Sequence, residues 1–156
     1  MNKTSSVDQD FRLWVLLHQT RDAIFKAREK ELKPYGITTM ECGVLFIVEA
    51  VGYKATPAEI SRWLFREPHS VSVLLSRMER KGLIKKTKDL ERKNLIRISL
   101  TEKGKQAHIN CTKRKSVHNI ISTLSKEEYR QLASYLGKLR DSALKENGME
   151  KGLPFP

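Results

Sequence analysis

Between Pro68 and Lys81 two kinds of side chain alternate on a helical period. Val71, Leu74, Leu75 and Met78 fall at i, i+3, i+4 and i+7, a stripe that must be buried. At about 100° per residue the opposite side carries His69, Val73, Ser76 and Arg80, flanked by Ser70, Ser72 and Arg77. Short hydroxyls near a helix start allow close approach to base edges or phosphates. An outward valine suits a thymine methyl, and arginines further along suit phosphate or guanine. A helix facing only water gives no reason for a valine among serines.

The charge distribution points the same way. The chain has a formal charge of +12, which favours a polyanionic partner, either nucleic acid or an anionic membrane face. Residues 62–105 hold 13 Lys/Arg against 5 Asp/Glu, so two-thirds of the excess lies in this stretch of the 156 residues. Part of it comes from Lys85, Lys86, Lys88, Arg92, Lys93 and Arg97, which surround the segment Asp89-Leu90-Glu91-Arg92-Lys93. Cations on a protruding ribbon reach the minor groove or the backbone of a duplex. Asp89 and Arg92 have a second reading, as a pair that stiffens the tip, and the two roles are compatible.

The elements needed to hold these residues can be read from caps and periodicity. Apolar residues from Phe11 to Leu32 recur every three or four positions and predict a long helix, broken by Pro34-Tyr35-Gly36. Thr38 and Glu41 form a capping box for a helix running to about Ala50. Thr56-Pro57-Ala58-Glu59 opens a short helix over 57–64, and Pro68 opens the helix over 68–81, stopped by Gly82. Leu83–Lys88 and Asn94–Leu100 read as a hairpin, with Ile96, Ile98 and Leu100 on one face. Thr101 caps a helix expected to run to about Ser122, and Ser125 with Glu128 caps a last one. In that last helix Tyr129, Leu132, Leu136, Leu139 and Ala143 repeat as a heptad seam. A short helix, turn, helix and hairpin across 57–100 make a winged helix-turn-helix. The fold class is therefore mostly α with a small β-hairpin wing, framed by N- and C-terminal dimerisation helices.

Other classes find little support. With 39% hydrophobic residues, 8 Gly and 5 Pro, the chain reads as globular. The longest apolar runs, Val44 to Val48 among them, fall far short of the ~18–20 residues of a membrane span. The polar start Met1-Asn2-Lys3-Thr4-Ser5-Ser6 is unlike a signal peptide, so a cytoplasmic location is expected. Two cysteines, Cys42 and Cys111, fit a reducing compartment. No Gly-rich phosphate loop, H-E-x-x-H motif or nucleophile elbow occurs, which argues against an enzyme. His108 and Cys111 share a helical face with His118 two turns on, but no second close pair accompanies them, so no metal site and no cofactor are expected.

The run Ser70-Val71-Ser72-Val73-Leu74-Leu75-Ser76-Arg77-Met78-Glu79-Arg80-Lys81-Gly82-Leu83-Ile84 resembles the recognition helix and wing entry of the MarR (multiple antibiotic resistance regulator) family. Leu100-Thr101-Glu102-Lys103-Gly104 resembles the segment leaving the wing in that family, and the likeness spans residues 8–147. Arg66-Glu67-Pro68-His69 and Glu91-Arg92-Lys93-Asn94 are similar to segments of members from organohalide-respiring bacteria. The resemblance implies DNA-reading positions at Ser70, Ser72, Val73 and Arg77, with wing cations at Arg92 and Lys93. The wing departs from the family's alternating Asp and Arg: Asp89 matches, but Glu91, Arg92 and Asn94 follow it. The minor-groove cation therefore stays open.

Together these readings give a single domain over 1–156. Residues 8–50 are supporting and dimerisation helices, 56–100 the DNA-binding lobe, 101–147 C-terminal dimerisation helices and 148–156 a loose tail. The DNA-binding candidates are His69, Ser70, Ser72, Val73, Ser76, Arg77, Arg80, Lys86, Lys88, Arg92 and Lys93. The resemblance implies a homodimer on a palindromic operator of double-stranded DNA, most often as a repressor, although the seam has the alternative of packing within one monomer. It also implies a cleft for a small, often aromatic effector. Trp14, His18, Phe25, Cys42 and Phe46 are candidates to line it, or they are plain core. Cys42, in the most apolar helix, is expected to be a buried inert thiol and Cys111 the more exposed one. The competing functions are an architectural DNA-binding protein without a ligand, a protein-binding adaptor, and a thiol-based redox-sensing regulator using Cys42 or Cys111.

Overall fold

The structure is a computed structural model and describes residues 4–149. Its helices are α1 (Thr4–Leu32), α2 (Thr39–Val51), α3 (Pro57–Leu64), α4 (Pro68–Arg80), α5 (Glu102–Thr112), α6 (Lys115–Ile121) and α7 (Lys126–Glu146). Strands β1 (Ile84–Lys88) and β2 (Ile96–Leu100) lie between α4 and α5 and pair antiparallel, with Lys86 opposite Ile98. This is a mostly helical chain with a two-stranded wing, as the sequence predicts. Residues 150–156 of the expected tail lie outside the described residues.

The predicted caps form. Thr38 and Ser125 each accept the backbone N–H of the glutamate three residues on, and each glutamate returns a bond to the cap backbone. Thr56 and Thr101 cap α3 and α5 through their hydroxyls. Gly82 takes φ 72°, which lets the Leu83 N–H reach back to the Met78 carbonyl at 3.0 Å and close α4.

The core is built around α4 and α2. Val71, Leu74, Leu75 and Met78 are all buried, together with Val44, Leu45 and Val48 of α2, Ile60 of α3, and Ile84 and Ile98 of the strands. The loop before α3 joins the sheet, because the Ala55 carbonyl accepts the Ile98 N–H at 3.0 Å. Behind the wing the backbone of α5 comes close to β1. A Cβ on Gly104 would lie 1.9 Å from the Leu83 carbonyl oxygen, so only glycine fits the first turn of α5.

One expectation changes. The single helix predicted over 101–122 is broken between α5 and α6, where Arg114 takes φ 42°. The cause lies in α1: the Glu31 carboxylate accepts the backbone N–H groups of Lys115 and Ser116 at 2.8 and 3.1 Å, and the Ser116 hydroxyl too. It thereby caps the start of α6. Burial works against this charge, but the Ser116 hydroxyl, Arg28 and the two backbone donors together bring the Glu31 pKa down to about 2. The α7 seam, in turn, does not pack within the chain. Tyr129, Leu132, Leu136 and Leu139 stay exposed, as do Phe11, Trp14 and Leu16 of α1.

Gly104→Ala is expected to lower the unfolding free energy by about 3 kcal/mol, because the new methyl meets backbone that cannot swing away. Chemical denaturation checks this, and a loss under ~1 kcal/mol contradicts the close approach.

Candidate nucleic-acid interface

The buried stripe fixes which side of α4 faces outward. His69, Ser70, Ser72, Val73, Arg77 and Arg80 are exposed there, and Val73 shows 56% of its surface. Ser70, Val73 and Arg77 also line a recess of about 260 Å3 with Met40, Arg66, Val71 and Leu74. Ser76 is only half-buried, since its hydroxyl accepts a hydrogen bond from Lys86 Nζ at 3.0 Å.

The wing separates the cations into two groups. Lys86 is folded back onto α4: besides Ser76, its ammonium lies 3.5 Å from Glu79, whose carboxylate also accepts the Lys86 N–H. Lys88, Arg92 and Lys93 are exposed. The expected pairing of Asp89 with the Arg92 side chain does not occur as such. One Asp89 oxygen accepts the backbone N–H groups of Glu91 and Arg92, and the other accepts Arg97 Nε at 2.6 Å. The Arg92 backbone bond, then Arg97, hold the Asp89 carboxyl below the usual carboxylate range. The tip is thus stiffened by Arg97, for a geometric reason: an Asx turn uses the neighbouring N–H groups, and Arg97 reaches across from β2.

One functional residue escaped the sequence reading. Glu41, visible only as a cap, is 0% exposed, and its carboxylate meets α4. It accepts Arg77 Nε at 3.2 Å and contacts Lys81 Nζ at 2.9 Å, while Lys81 also bonds the Gly36 carbonyl. Arg77 is therefore an outward residue whose guanidinium is held at Nε from behind. The four-residue spacing of Arg77 and Lys81 on one helical face was the available signal, but nothing local joins them to a carboxylate 36 residues away.

The candidate ligand residues are not gathered in one place. Trp14 stacks near Phe11 and lies 4.4 Å from the His18 ring, on exposed α1. Phe25 is half-buried beneath Arg21, whose guanidinium lies 4.8 Å from the ring. Cys42 and Phe46 share a face of α2 turned towards α5, where Phe46 meets His108. A recess of about 400 Å3 lined by Tyr35, Ile37, Lys81, Leu83, Lys103 and Ala107, among others, involves none of the five. The expected exposure of the thiols is reversed: Cys111 is 3% exposed and Cys42 half-buried, because α5 turns Cys111 inward against α1 and α2. Among the described residues no three His, Cys, Asp or Glu are grouped to hold a metal ion.

The profile of the MarR family matches residues 35–93. The HTH-type transcriptional repressor MdtR of Bacillus subtilis (strain 168) is 25% identical over 138 residues, 87% of this chain and 86% of that protein. Among solved structures, the organohalide-sensing RdhR-CbdbA1625 transcriptional regulator in its 2,4-dichlorophenol-bound form is 32% identical. The match covers 100% of this chain and 95% of that one, with a TM-score of 0.86. The S. aureus MepR–DNA complex is 26% identical, with 82% and 94% covered and a TM-score of 0.74.

Removing the carboxylate that grips Arg77 has a measurable cost. Glu41→Ala should destabilise the fold by about 2 kcal/mol, through lost charge-assisted hydrogen bonds and the lost cap. Urea titration reads this, and a change under ~0.5 kcal/mol shows the grip to be incidental.

Proposed function

The chain belongs to the MarR family of transcription regulators, and from that premise we propose that it is a repressor acting as a homodimer on a palindromic operator, in the cytoplasm, and released by a small aromatic effector. The observation that carries this reading is the outward face of α4: Ser70, Ser72, Val73 and Arg77 are exposed on a helix whose back is packed, Arg77 with its Nε held by Glu41. Entering the major groove, the serines and Val73 read base edges while Arg77 and Arg80 take guanine or phosphate. Arg92 and Lys93, at the wing tip, follow the backbone or the adjacent minor groove, with Lys88 beside them. Lys86 has a lesser part, since its ammonium is engaged with Ser76 and Glu79.

The dimer rests on the uncovered apolar faces. Tyr129, Leu132, Leu136 and Leu139 on α7, with Phe11, Trp14 and Leu16 on α1, offer a self-complementary surface to a second copy. Two-fold pairing sets two α4 helices about one turn of DNA apart. The domain division follows: the lobe over 56–100 reads DNA, and residues 8–50 and 101–147 assemble the dimer. The effector proposal draws on the relative that binds 2,4-dichlorophenol. Of the five candidates Trp14, His18, Phe25, Cys42 and Phe46, which do not share one place in this chain, Cys42 and Phe46 on one face of α2 are the pair offered together to a ring of that kind.

A competition shift assay on the fragment upstream of the chain's own gene tests the reading. One palindrome should be preferred over bulk DNA by roughly 10³-fold or more. Arg92→Ala should weaken binding and lower the slope of log affinity against log salt by about 1. Salt-sensitive binding without sequence preference makes the protein architectural. Unchanged binding in both Arg77→Ala and Arg92→Ala removes the proposed interface.

A further inference from the structure

Among the described residues Leu90 is the most exposed of the large apolar side chains, with 98% of its surface open. It belongs neither to the uncovered faces of α1 and α7 nor to α4. It lies between β1 and β2, at the tip of the wing.

The tip is built so that this leucine cannot turn inward. The Asp89 N–H donates to the Leu95 carbonyl at 2.8 Å, and the Leu95 N–H to the Arg92 carbonyl at 2.8 Å, which closes the loop. Within it the Asp89 carboxylate accepts the backbone N–H groups of Glu91 and Arg92 at 3.0 and 2.8 Å, and Arg97 Nε at 2.6 Å. These bonds fix the backbone on both sides of Leu90. The loop is ordered before any partner arrives, so docking the leucine loses little further freedom.

Leu90 also has charged company. Lys88, Arg92 and Lys93 are exposed on the same end of the ribbon, with Glu91 the exposed carboxylate among them. An apolar side chain flanked by cations matches the minor groove of a duplex. Phosphates line the edges of that groove, and leucine is one of the side chains that insert between base steps from it. A wing acting by charge alone gives no role to a bare leucine. An apolar pocket on a protein would take the leucine but gives no role to the cations beside it.

We propose that Leu90 is an apolar wedge that enters the minor groove next to the segment read by α4 and unstacks a base step there. This rests on the DNA-binding reading above and adds a contact made without charge. Lys88, Arg92 and Lys93 meet the flanking phosphates, while Asp89 and Arg97 hold the loop that carries the leucine. Pyrimidine–purine steps unstack most easily, so a dT–dA step is the preferred place of entry. The wedge thereby favours sequences at positions where the protein makes no hydrogen bond to a base.

A duplex of alternating dT and dA, bound by the full chain at low salt, tests the wedge, with permanganate as the probe of unstacked thymines. The wild type should raise thymine reactivity at least about threefold over the free duplex. Leu90→Ser should lose that rise and bind about tenfold more weakly. Its slope of log affinity against log salt should stay unchanged, because an apolar contact releases no counterions. Leu90→Met should keep both the affinity and the reactivity. Both variants should melt with the wild type, since the leucine packs against nothing. Wild-type affinity in Leu90→Ser, a fall in its salt slope, or wild-type binding without thymine reactivity overturns the wedge and leaves the DNA reading standing. A wild type that binds no duplex at low salt overturns both.

Discussion

The architecture depends on α4 being gripped on one side and bare on the other. Val71, Leu74, Leu75 and Met78 bury their side chains against α2, α3 and the strands, and each such burial contributes about 1.5–3 kcal/mol. The opposite face receives no such support, so its side chains are chosen for what they meet rather than for packing. Holding a helix this way fixes its axis and rotation without covering the residues that read a partner. Glu41 extends the grip: its enclosed carboxylate ties Arg77 and Lys81 to the start of α2. The same helix α2 carries Cys42 on its next residue, so the core and the outward face share one rigid element.

Electrostatics is arranged on this frame by local pairing. Several cations on and near α4 are already engaged, Lys86 by Ser76 and Glu79, Arg97 by Asp89, and Arg77 and Lys81 by Glu41. Lys88, Arg92 and Lys93 remain at the exposed end of the ribbon. Net charge therefore overstates what is offered to a polyanion. The engaged cations shape the ribbon and the helix, and the exposed ones supply long-range attraction.

How much of this the sequence displayed depends on the range of the interaction. The caps at Thr38, Thr56, Thr101 and Ser125, the stop at Gly82 and the α4 stripe are set by residues within a few positions of one another, and all form as predicted. The outward placement of Val73 and its serines followed from the same periodicity. What was hidden is tertiary. The break at Arg114 is made by Glu31, more than eighty residues earlier, and no local pattern predicts it. The Glu41–Arg77 pair, the Asp89–Arg97 pair and the inward turn of Cys111 each require two elements to have docked already. The α7 seam was legible as a surface in need of a partner, and the chain itself does not cover it.

The central claim is that two copies hold their α4 faces side by side, at the spacing of successive major grooves. A dipolar distance between nitroxides on Ser72→Cys, in a background where Cys42 and Cys111 are serine, measures that spacing directly and needs no operator. The account predicts a dimer with a label separation of about 34 Å, close to one turn of duplex. A monomer without dipolar coupling, or a separation below about 20 Å that brings the two faces against each other, contradicts it.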